Sequence, residues 1–403
     1  MKNHSRLIIV FIILSLLSIT GSNGYPSSPE DSSYEAQSIP KKLSWTWRKN
    51  FKDAELRNLV MAWNGSRILF SVREKVDNLK TGNKGDVIIG LEHTGKPIRD
   101  WRVEGRIYRL SLDGSGKRLL VELEDGRLLY YLDWEKDEAP VIIEDTERGA
   151  VLSPKGTFIG VAKKSDQNGT VHVLSHKGEK IWDYSEGENK NLHTHKESFS
   201  KWEVMAFPFV ENENRFLRIS DDGRIFLNDG KKLLWQAEVQ GLPISVASSI
   251  LEGGILMVST IGDKGGIYFF NTKGELKGIA PFQGTVSSLS CSNMGNICAA
   301  YGNSKTGQQI SVYTPDGKEA GGYHVKEKAE MDSRVFVVDK GSAIVAGVKD
   351  KGVWSIYALD NKGTPIWYAP IKEGLKDFII SWDGKRIAVI TEDARLLFFQ
   401  QNE

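Results

Sequence analysis

Short apolar stretches alternate with glycine turns along most of the chain. "VMAWNGSRILFSV" from Val60 and "ISWDGKRIAVITEDARLLFF" from Ile380 each place an Asn-Gly or Asp-Gly turn between two apolar stretches. This pattern predicts β-hairpins, because such dipeptides favour the tight turns that join antiparallel strands. The turn glycines recur every 42 to 49 residues, apart from one interval of 97, at Gly65, Gly114, Gly156, Gly253, Gly295, Gly341 and Gly384. The long interval fits two repeats with a glycine-free turn near Asn212, so the pattern predicts eight repeats in all.

A second set of turns falls between the first ones and also follows apolar stretches. Its glycines are Gly95, Gly178, Gly230, Gly274, Gly317 and Gly363. Each repeat therefore has four strands, which we name A to D in chain order. A period in the forties with four short strands is typical of β-propeller blades. We predict an all-β, eight-bladed β-propeller with four-stranded antiparallel blades, and seven blades is the alternative.

The last repeat contains strands A to C but no strand D of its own. At the other end of the propeller, "KLSWTWRKNF" (Lys42 to Phe51) precedes the first A strand and resembles the D strands in its Trp-containing alternation. We therefore expect the N-terminal strand to complete the last blade. Such an arrangement closes the ring and removes the open sheet edges of the end blades.

The N-terminal residues have the pattern of a targeting segment. Lys2 and Arg6 precede a 14-residue apolar stretch from Leu7 to Thr20, and small residues follow it. This stretch is shorter than the roughly 20 residues needed to span a bilayer, which favours a cleaved signal peptide. We predict a signal peptide over 1–24, a Ser- and Pro-rich flexible linker over 25–41 and the propeller over 42–403. The expected location is secreted or extracytoplasmic, with membrane anchoring by an uncleaved N-terminal segment as the alternative.

Charge and cysteine content narrow the possible functions. The chain has 53 basic and 52 acidic residues, so it lacks the basic excess expected of a protein that binds nucleic acid. No later segment is long and apolar enough to span a membrane. The two cysteines, Cys291 and Cys298, lie in "CSNMGNIC". They could form a disulfide across a hairpin in an oxidising compartment or be two buried thiols, but they do not make a zinc site.

Two turn motifs resemble those of known propellers. "SPKG" and "SLDG" are similar to the Ser-Pro-Asp-Gly turns of WD-repeat-like propellers, and "DNKGTPIW" and "SHKGEKIW" resemble the docking motif of quinoprotein-like (PQQ-type) propellers. The resemblance implies that the Trp of each motif packs against the neighbouring blade, here Trp47, Trp101, Trp182, Trp235 and Trp367. Quinoprotein dehydrogenases also need calcium ligands and often a vicinal Cys pair. The chain has no Cys-Cys pair and no recognisable ligand set, so we expect no cofactor.

Candidate binding residues lie in the connections that share one face of a propeller, from B to C and from D to the next A. They are Arg106, Arg148, Asp263, Lys305 and Lys351. A rigid scaffold that presents polar loops is a common place for a binding site. His193 and His195 could hold a metal with Glu197 or His324, although a solvated loop is the simpler interpretation. No Gly-x-Ser-x-Gly motif of a hydrolase occurs.

The leading hypothesis is a non-catalytic, exported, monomeric module that binds a protein or cell-surface partner. The alternative is an enzyme or sensor that binds a metal or small ligand in the propeller channel. Carboxylates or His at the axis would favour this alternative, whereas a lining of Ser, Ala and Val would not. A self-associating surface-layer component is a third possibility.

Overall fold

The protein is an all-β propeller in a computed structural model. The residues described are 41–74, 85–163, 170–184, 202–208, 212–220, 222–249, 254–262, 265–282, 284–329 and 333–401. Within these ranges, no helix has the length and apolarity required to cross a membrane. The described secondary structure consists of strands, which we number β1 to β33 in chain order, and one 3₁₀ turn at Asp339–Gly341.

Eight antiparallel blades follow one another around a ring, which confirms the predicted eight and excludes the alternative of seven. Within a blade, A is the innermost strand and D the outermost. In chain order, the blades are β3–β6 (Ala54–Met61, Arg67–Glu74, Val87–Glu92, Pro97–Arg102); β7–β10 (Ile107–Leu112, Leu119–Leu123, Leu128–Tyr131, Val141–Ile143); β11–β14 (Val151–Leu152, Phe158–Ala162, Val171–Ser175, Lys180–Tyr184); β15–β18 (Trp202–Ala206, Arg215–Ser220, Arg224–Asp229, Lys232–Glu238); β19–β22 (Leu242–Ser248, Ile255–Ile261, Ile267–Asn271, Leu276–Ala280); β23–β26 (Thr285–Cys291, Cys298–Ser304, Gly307–Tyr313, Glu319–Val325); β27–β30 (Val335–Val337, Ile344–Asp350, Val353–Leu359, Pro365–Ile371); and β31–β33 (Leu375–Ile380, Arg386–Thr391, Arg395–Gln400) with a fourth strand from the N-terminal side.

The N-terminal strand closes the ring as predicted. β2 (Trp47–Asn50) pairs antiparallel with β33 and places Trp47 opposite Phe398. One further contact was not predicted. The two-residue strand β1 (Lys41–Lys42) runs parallel to β30 as a fifth strand of blade 7, with Lys41 opposite Trp367. The N-terminal side of the propeller therefore covers the outer edges of blades 7 and 8.

The apolar core is divided among the interfaces between neighbouring blades. The described residues form eight buried clusters, and each cluster joins two adjacent blades. Alternate side chains of a central strand point to opposite faces of its sheet, and each face here meets another blade. This explains why all five residues of β8, "LLVEL", are buried. D strands are more exposed, as in β18, because they lie at the outer edge.

A contact repeated at two D strands joins neighbouring blades. The indole Nε1 of Trp47 donates to the His93 carbonyl of blade 1 at 2.8 Å, and that of Trp235 donates to the Thr272 carbonyl of blade 5 at 3.0 Å. In both cases the indole lies on a turn glycine: a Cβ on Gly95 would meet Trp47 at 3.1 Å. The expected packing of these Trp residues against the next blade is therefore present.

The A–B turns form one rim of the ring, which we call the lower rim. Backbone hydrogen bonds connect successive turns from blade 7 to blade 3: Asp339 N–H donates to Trp382 (2.9 Å), Trp382 to Trp63 (2.8 Å), Trp63 to Gly114 (3.2 Å) and Gly114 to Pro154 (2.8 Å). The Trp63 and Trp382 rings stack with centroids 3.9 Å apart.

Gly114 lies at the same position in its turn as Trp63 and Pro154 do in theirs. A Cβ on Gly114 would lie 2.3 Å from the Trp63 ring. The left-handed glycine of that turn is Gly116, with φ of 80°. Gly114 is therefore the wrong choice of turn glycine for blade 2, because the "DGSG" turn contains two glycines and the equivalent one is Gly116.

Candidate functional site at the upper rim

The B–C and D–A connections form the opposite rim, the upper rim. In blade 2, the N–H of Glu124 in the B–C turn donates to the Arg106 carbonyl of the preceding D–A connection at 2.9 Å. Arg106, Arg148, Lys305 and Lys351 all lie on this rim and are exposed. Asp263 lies outside the described residues.

The four described candidates form two groups rather than one site. Arg106 and Arg148 precede the A strands of blades 2 and 3, whereas Lys305 and Lys351 lie in the B–C turns of blades 6 and 7. Blades four positions apart in an eight-bladed ring are on opposite sides of the axis. A small ligand could not contact both groups, but a protein partner could.

Arg148 belongs to a cluster of polar contacts beside the channel. Its guanidinium lies 4.6 Å from the centroid of the Tyr108 ring, which is a cation–π contact. The next residue, Gly149, donates its N–H to the buried carboxylate of Glu122 at 2.9 Å, and Glu122 pairs with Arg109 at 3.2 Å. The loop that presents Arg148 is therefore held by a buried carboxylate, which a partly exposed arginine neutralises.

On the other side of the ring, carboxylate and hydroxyl groups fix the turns that present the lysines. Lys351 has a left-handed backbone with φ of 50°, and the next N–H, of Gly352, donates to the Glu327 carboxylate at 3.0 Å. Beside Lys305, the hydroxyl of Thr306 lies 3.1 Å from His324 Nε2. His324 thus has a neighbour on its own blade, while His193, His195 and Glu197 lie outside the described residues.

The channel beside blades 5 to 8 has a lining of mainly small and apolar side chains. A cavity of about 370 Å³ is lined there by residues that include Val246, Ala247, Ser248, Ser288 and Ser290. Two of these hydroxyls join neighbouring A strands, since Val335 N–H donates to Ser288 Oγ at 3.1 Å and Val337 N–H to Ser290 Oγ at 2.9 Å. Within the described ranges, no group of three or more His, Cys, Asp and Glu side chains could hold a metal ion.

Where blades 7, 8 and 1 meet at the upper rim, a cavity of about 260 Å³ contains a group of charges. We call it the mouth recess. Its wall includes Arg57 on β3, Arg334 just before β27, and Lys376 and Asp377 on β31. Arg334 Nε lies 3.5 Å from Asp377 Oδ1, and Lys376 Nζ lies 2.8 Å from Glu55 Oε1.

Electrostatics in the mouth recess differ between its two carboxylates. Burial raises the pKa of Asp377, although the Arg334 guanidinium partly opposes the shift. The pKa of Glu55 is lowered, chiefly by its hydrogen bond with Lys376. Arg57 lies farther from Glu55, at 3.7 Å, and its side chain is 38% exposed, so its guanidinium remains accessible.

The sequence analysis did not identify the mouth recess, although the sequence contains a signal for it. "AELRN" and "LKDF" place charged residues in the A strands of blades 1 and 8. The A strands of blades 5 and 6 instead have uncharged residues such as Ser, Val and Ala. A charge on the innermost strand of a propeller faces the channel or a neighbouring A strand. The three-dimensional ring is needed to bring β3, β27 and β31 to one place, because they are far apart in sequence.

Cys291 and Cys298 are buried thiols on facing strands. They lie directly opposite each other on β23 and β24, with Sγ atoms 2.8 Å apart. Burial, and then the contact with Cys298, raises the pKa of the Cys291 thiol. The hairpin position that the sequence suggested is therefore correct.

Comparison with known proteins gives structural relatives and no sequence family. No protein-family model matches the chain, and no curated protein matches it significantly. BamB from Moraxella catarrhalis aligns with 90% of this chain and 98% of its own, at 16% identity and a TM-score of 0.55. The C-terminal WD40 domain of Sif2 aligns with 91% of this chain and 100% of its own, at 12% identity and a TM-score of 0.63.

Sqt1 from Chaetomium thermophilum, in a complex with the N-terminus of ribosomal protein L10, aligns with 89% of this chain and 100% of its own, at 15% identity and a TM-score of 0.62. Identities this low establish a shared fold and leave function to be argued from the site. The chain is thus an eight-bladed β-propeller whose structural neighbours are WD40 and BamB propellers.

Proposed function

We propose that the chain is an exported, non-catalytic propeller that binds a protein or cell-surface partner through its upper rim. The observation that carries this proposal is the arrangement of the upper rim, where exposed cations lie on both sides of the channel mouth. There, exposed cationic side chains lie on loops whose backbone N–H groups donate hydrogen bonds to carboxylates, as Gly149 does to Glu122 and Gly352 does to Glu327.

The size of the upper-rim features also favours a large ligand. Arg106 and Arg148 lie across the ring from Lys305 and Lys351, so a single ligand that uses both groups must span the channel mouth. The mouth recess, at about 260 Å³, is smaller than the roughly 300–1,000 Å³ of typical small-molecule sites. A recess of this size suits one side chain of a protein partner better than a whole metabolite.

The structural neighbours give this proposal a precedent in the fold, since the Sqt1 propeller has been observed with the N-terminus of ribosomal protein L10 bound. We propose a different partner for the present chain, because its predicted targeting segment would direct it out of the cytoplasm. We propose a signal peptide over 1–24, a linker over 25–41, a propeller over 42–403 and a monomeric mature chain. Intact mass of the protein from an extracytoplasmic fraction, with or without 1–24, tests export and separates cleavage from anchoring.

Cross-linking and co-purification test the binding function. The full chain, tagged at its C-terminus, is expressed in its source organism as wild type and as three charge-reversal variants. Two alter the upper rim, R106E with R148E and K305E with K351E. The third, K155E with K340E, alters exposed residues of the lower rim and is the control. The proposal predicts one partner that the control retains and at least one upper-rim variant loses. No partner, or a partner lost only in the control, would contradict it.

A further inference from the structure

The mouth recess carries more positive than negative charge on its wall. Arg57, Arg334 and Lys376 contribute three cations, and Asp377 is the one carboxylate among its described lining residues. With Glu55, which pairs with Lys376 from outside the wall, a net charge of +1 remains. The whole chain has a formal net charge of +1 over 403 residues, so this is a local concentration of cations in a mainly neutral protein.

Two of these cations are available for a ligand. Arg57 and Arg334 have side chains 38% and 48% exposed, and their ion pairs with Glu55 and Asp377 are long, at 3.7 Å and 3.5 Å. Pairs of this length and exposure constrain a guanidinium only weakly. Asp377 Oδ1 also accepts the N–H of Phe378 at 2.9 Å, so its carboxylate is held by the backbone while Arg334 can turn toward the recess. Guanidinium groups bind carboxylates through two parallel hydrogen bonds.

The remaining wall is apolar, with one buried hydroxyl. Leu56, Trp354 and Phe378 line the recess, and each is buried in the blade interfaces. Ser333 also lines it and is only 7% exposed, and its Oγ has no hydrogen-bond partner among the described residues. A buried polar atom without a partner is costly, so an occupant that supplies one would be stabilised there.

From this geometry we propose that the mouth recess binds a carboxylate of the protein partner, on an acidic side chain or at a C-terminus, through Arg57 and Arg334. Apolar atoms next to that carboxylate pack against Trp354 and Phe378. This inference rests on the proposed function, since it specifies the chemistry by which a protein partner is recognised at the upper rim.

Binding of synthetic peptides to the full chain tests the inference. The probes are fluorescent peptides with a Gly-Ser spacer and a Leu-Glu-Leu-Glu end, made with a free C-terminus, with a C-terminal amide, with Gln in place of each Glu, and with both changes, so that the last form has no carboxylate. The amide and Gln forms distinguish a terminal carboxylate from side-chain carboxylates. The test variants are R57Q with R334Q, and R57K with R334K, which keeps the charge but loses the planar fork. K155Q with K340Q on the lower rim is the matched control.

The inference predicts that wild type and the control bind at least one carboxylate-bearing form, and that R57Q with R334Q binds it at least tenfold more weakly. The lysine variant should bind with intermediate affinity, and binding should weaken between low and high salt. Equal binding by R57Q with R334Q, or equal wild-type binding of the form that has no carboxylate, would overturn the inference. Urea unfolding is measured for each variant to check that the variant is folded.

Partner co-purification separates failure of this inference from failure of the proposed function. If R57Q with R334Q still retains the partner and the peptides do not bind, the upper rim remains the binding face and the carboxylate proposal is wrong. If no upper-rim variant alters partner retention, the proposed function itself fails.

Discussion

Substitution of Trp47 by Ala should weaken the closure of the ring. Trp47 lies on the N-terminal strand β2, which completes the last blade by pairing with β33. Its ring stacks on Phe398 with centroids 5.1 Å apart and planes 9° apart, and its Nε1 donates to the His93 carbonyl of blade 1 at 2.8 Å. The side chain therefore joins the first and last blades.

The loss can be worked out from these contacts. A neutral hydrogen bond contributes about 1 kcal/mol, and an aromatic pair contributes about 1 kcal/mol beyond its buried area. Burial of part of the indole adds about 1.5 kcal/mol. We expect W47A to lower the free energy of unfolding by about 3.5 kcal/mol, within the range of other large aromatic truncations.

Urea unfolding followed by circular dichroism measures this change. The matched control is R48A, since Arg48 is the next residue of β2, is exposed and pairs with Leu397 through its backbone. It should change the free energy of unfolding by less than about 0.5 kcal/mol. Equal effects of the two substitutions, or a loss below about 1 kcal/mol for W47A, would refute the argument that Trp47 locks the ring.

Three further predictions concern the lower rim, the cysteines and the mouth recess. G114A should destabilise the protein by about 1–3 kcal/mol and weaken the far-UV exciton couplet of the stacked Trp63 and Trp382, because its Cβ would lie 2.3 Å from the Trp63 ring; K117A in the same turn should leave both unchanged. If Cys291 and Cys298 are oxidised by exchange with a disulfide reagent, the short crosslinked loop should raise the free energy of unfolding by about 2.5 kcal/mol, an effect that dithiothreitol reverses and that C291S lacks. Burial raises the pKa of Asp377 in the folded state, so ionisation of this carboxylate opposes folding. The free energy of unfolding of wild type, relative to that of D377N, should therefore fall as pH rises through that pKa. A difference that rises or stays constant from pH 3.5 to 7 would contradict this.

The sequence predicted the architecture because each repeat has its own local turn and strand patterns. Glycine turns such as Gly65 and Gly384 need a left-handed backbone, and they mark each hairpin whatever the rest of the fold does. The Trp residues of the D strands gave the packing between blades. By contrast, β1 pairs through its backbone alone, over two lysines, and no side-chain pattern marks it.

The candidate site was only partly predictable. The rule that B–C and D–A connections share a rim placed Arg106, Arg148, Lys305 and Lys351 correctly on one face, but not their division into two groups across the ring. The mouth recess combines Arg57 with Arg334 and Asp377, residues brought together by closure of the ring. Its charges depend on contacts between blades, which a local pattern does not specify.

Binding of a protein partner at the upper rim can be tested directly in cells. The most direct measurement is photo-cross-linking in the source organism, with a photoreactive amino acid placed singly at Arg148 and Lys351 on the upper rim and at Lys155 and Lys340 on the lower rim. We expect cross-links to the same partner from one or both upper-rim positions and none from the lower rim. Cross-links from the lower rim alone, or to no protein from any of the four positions, would contradict it.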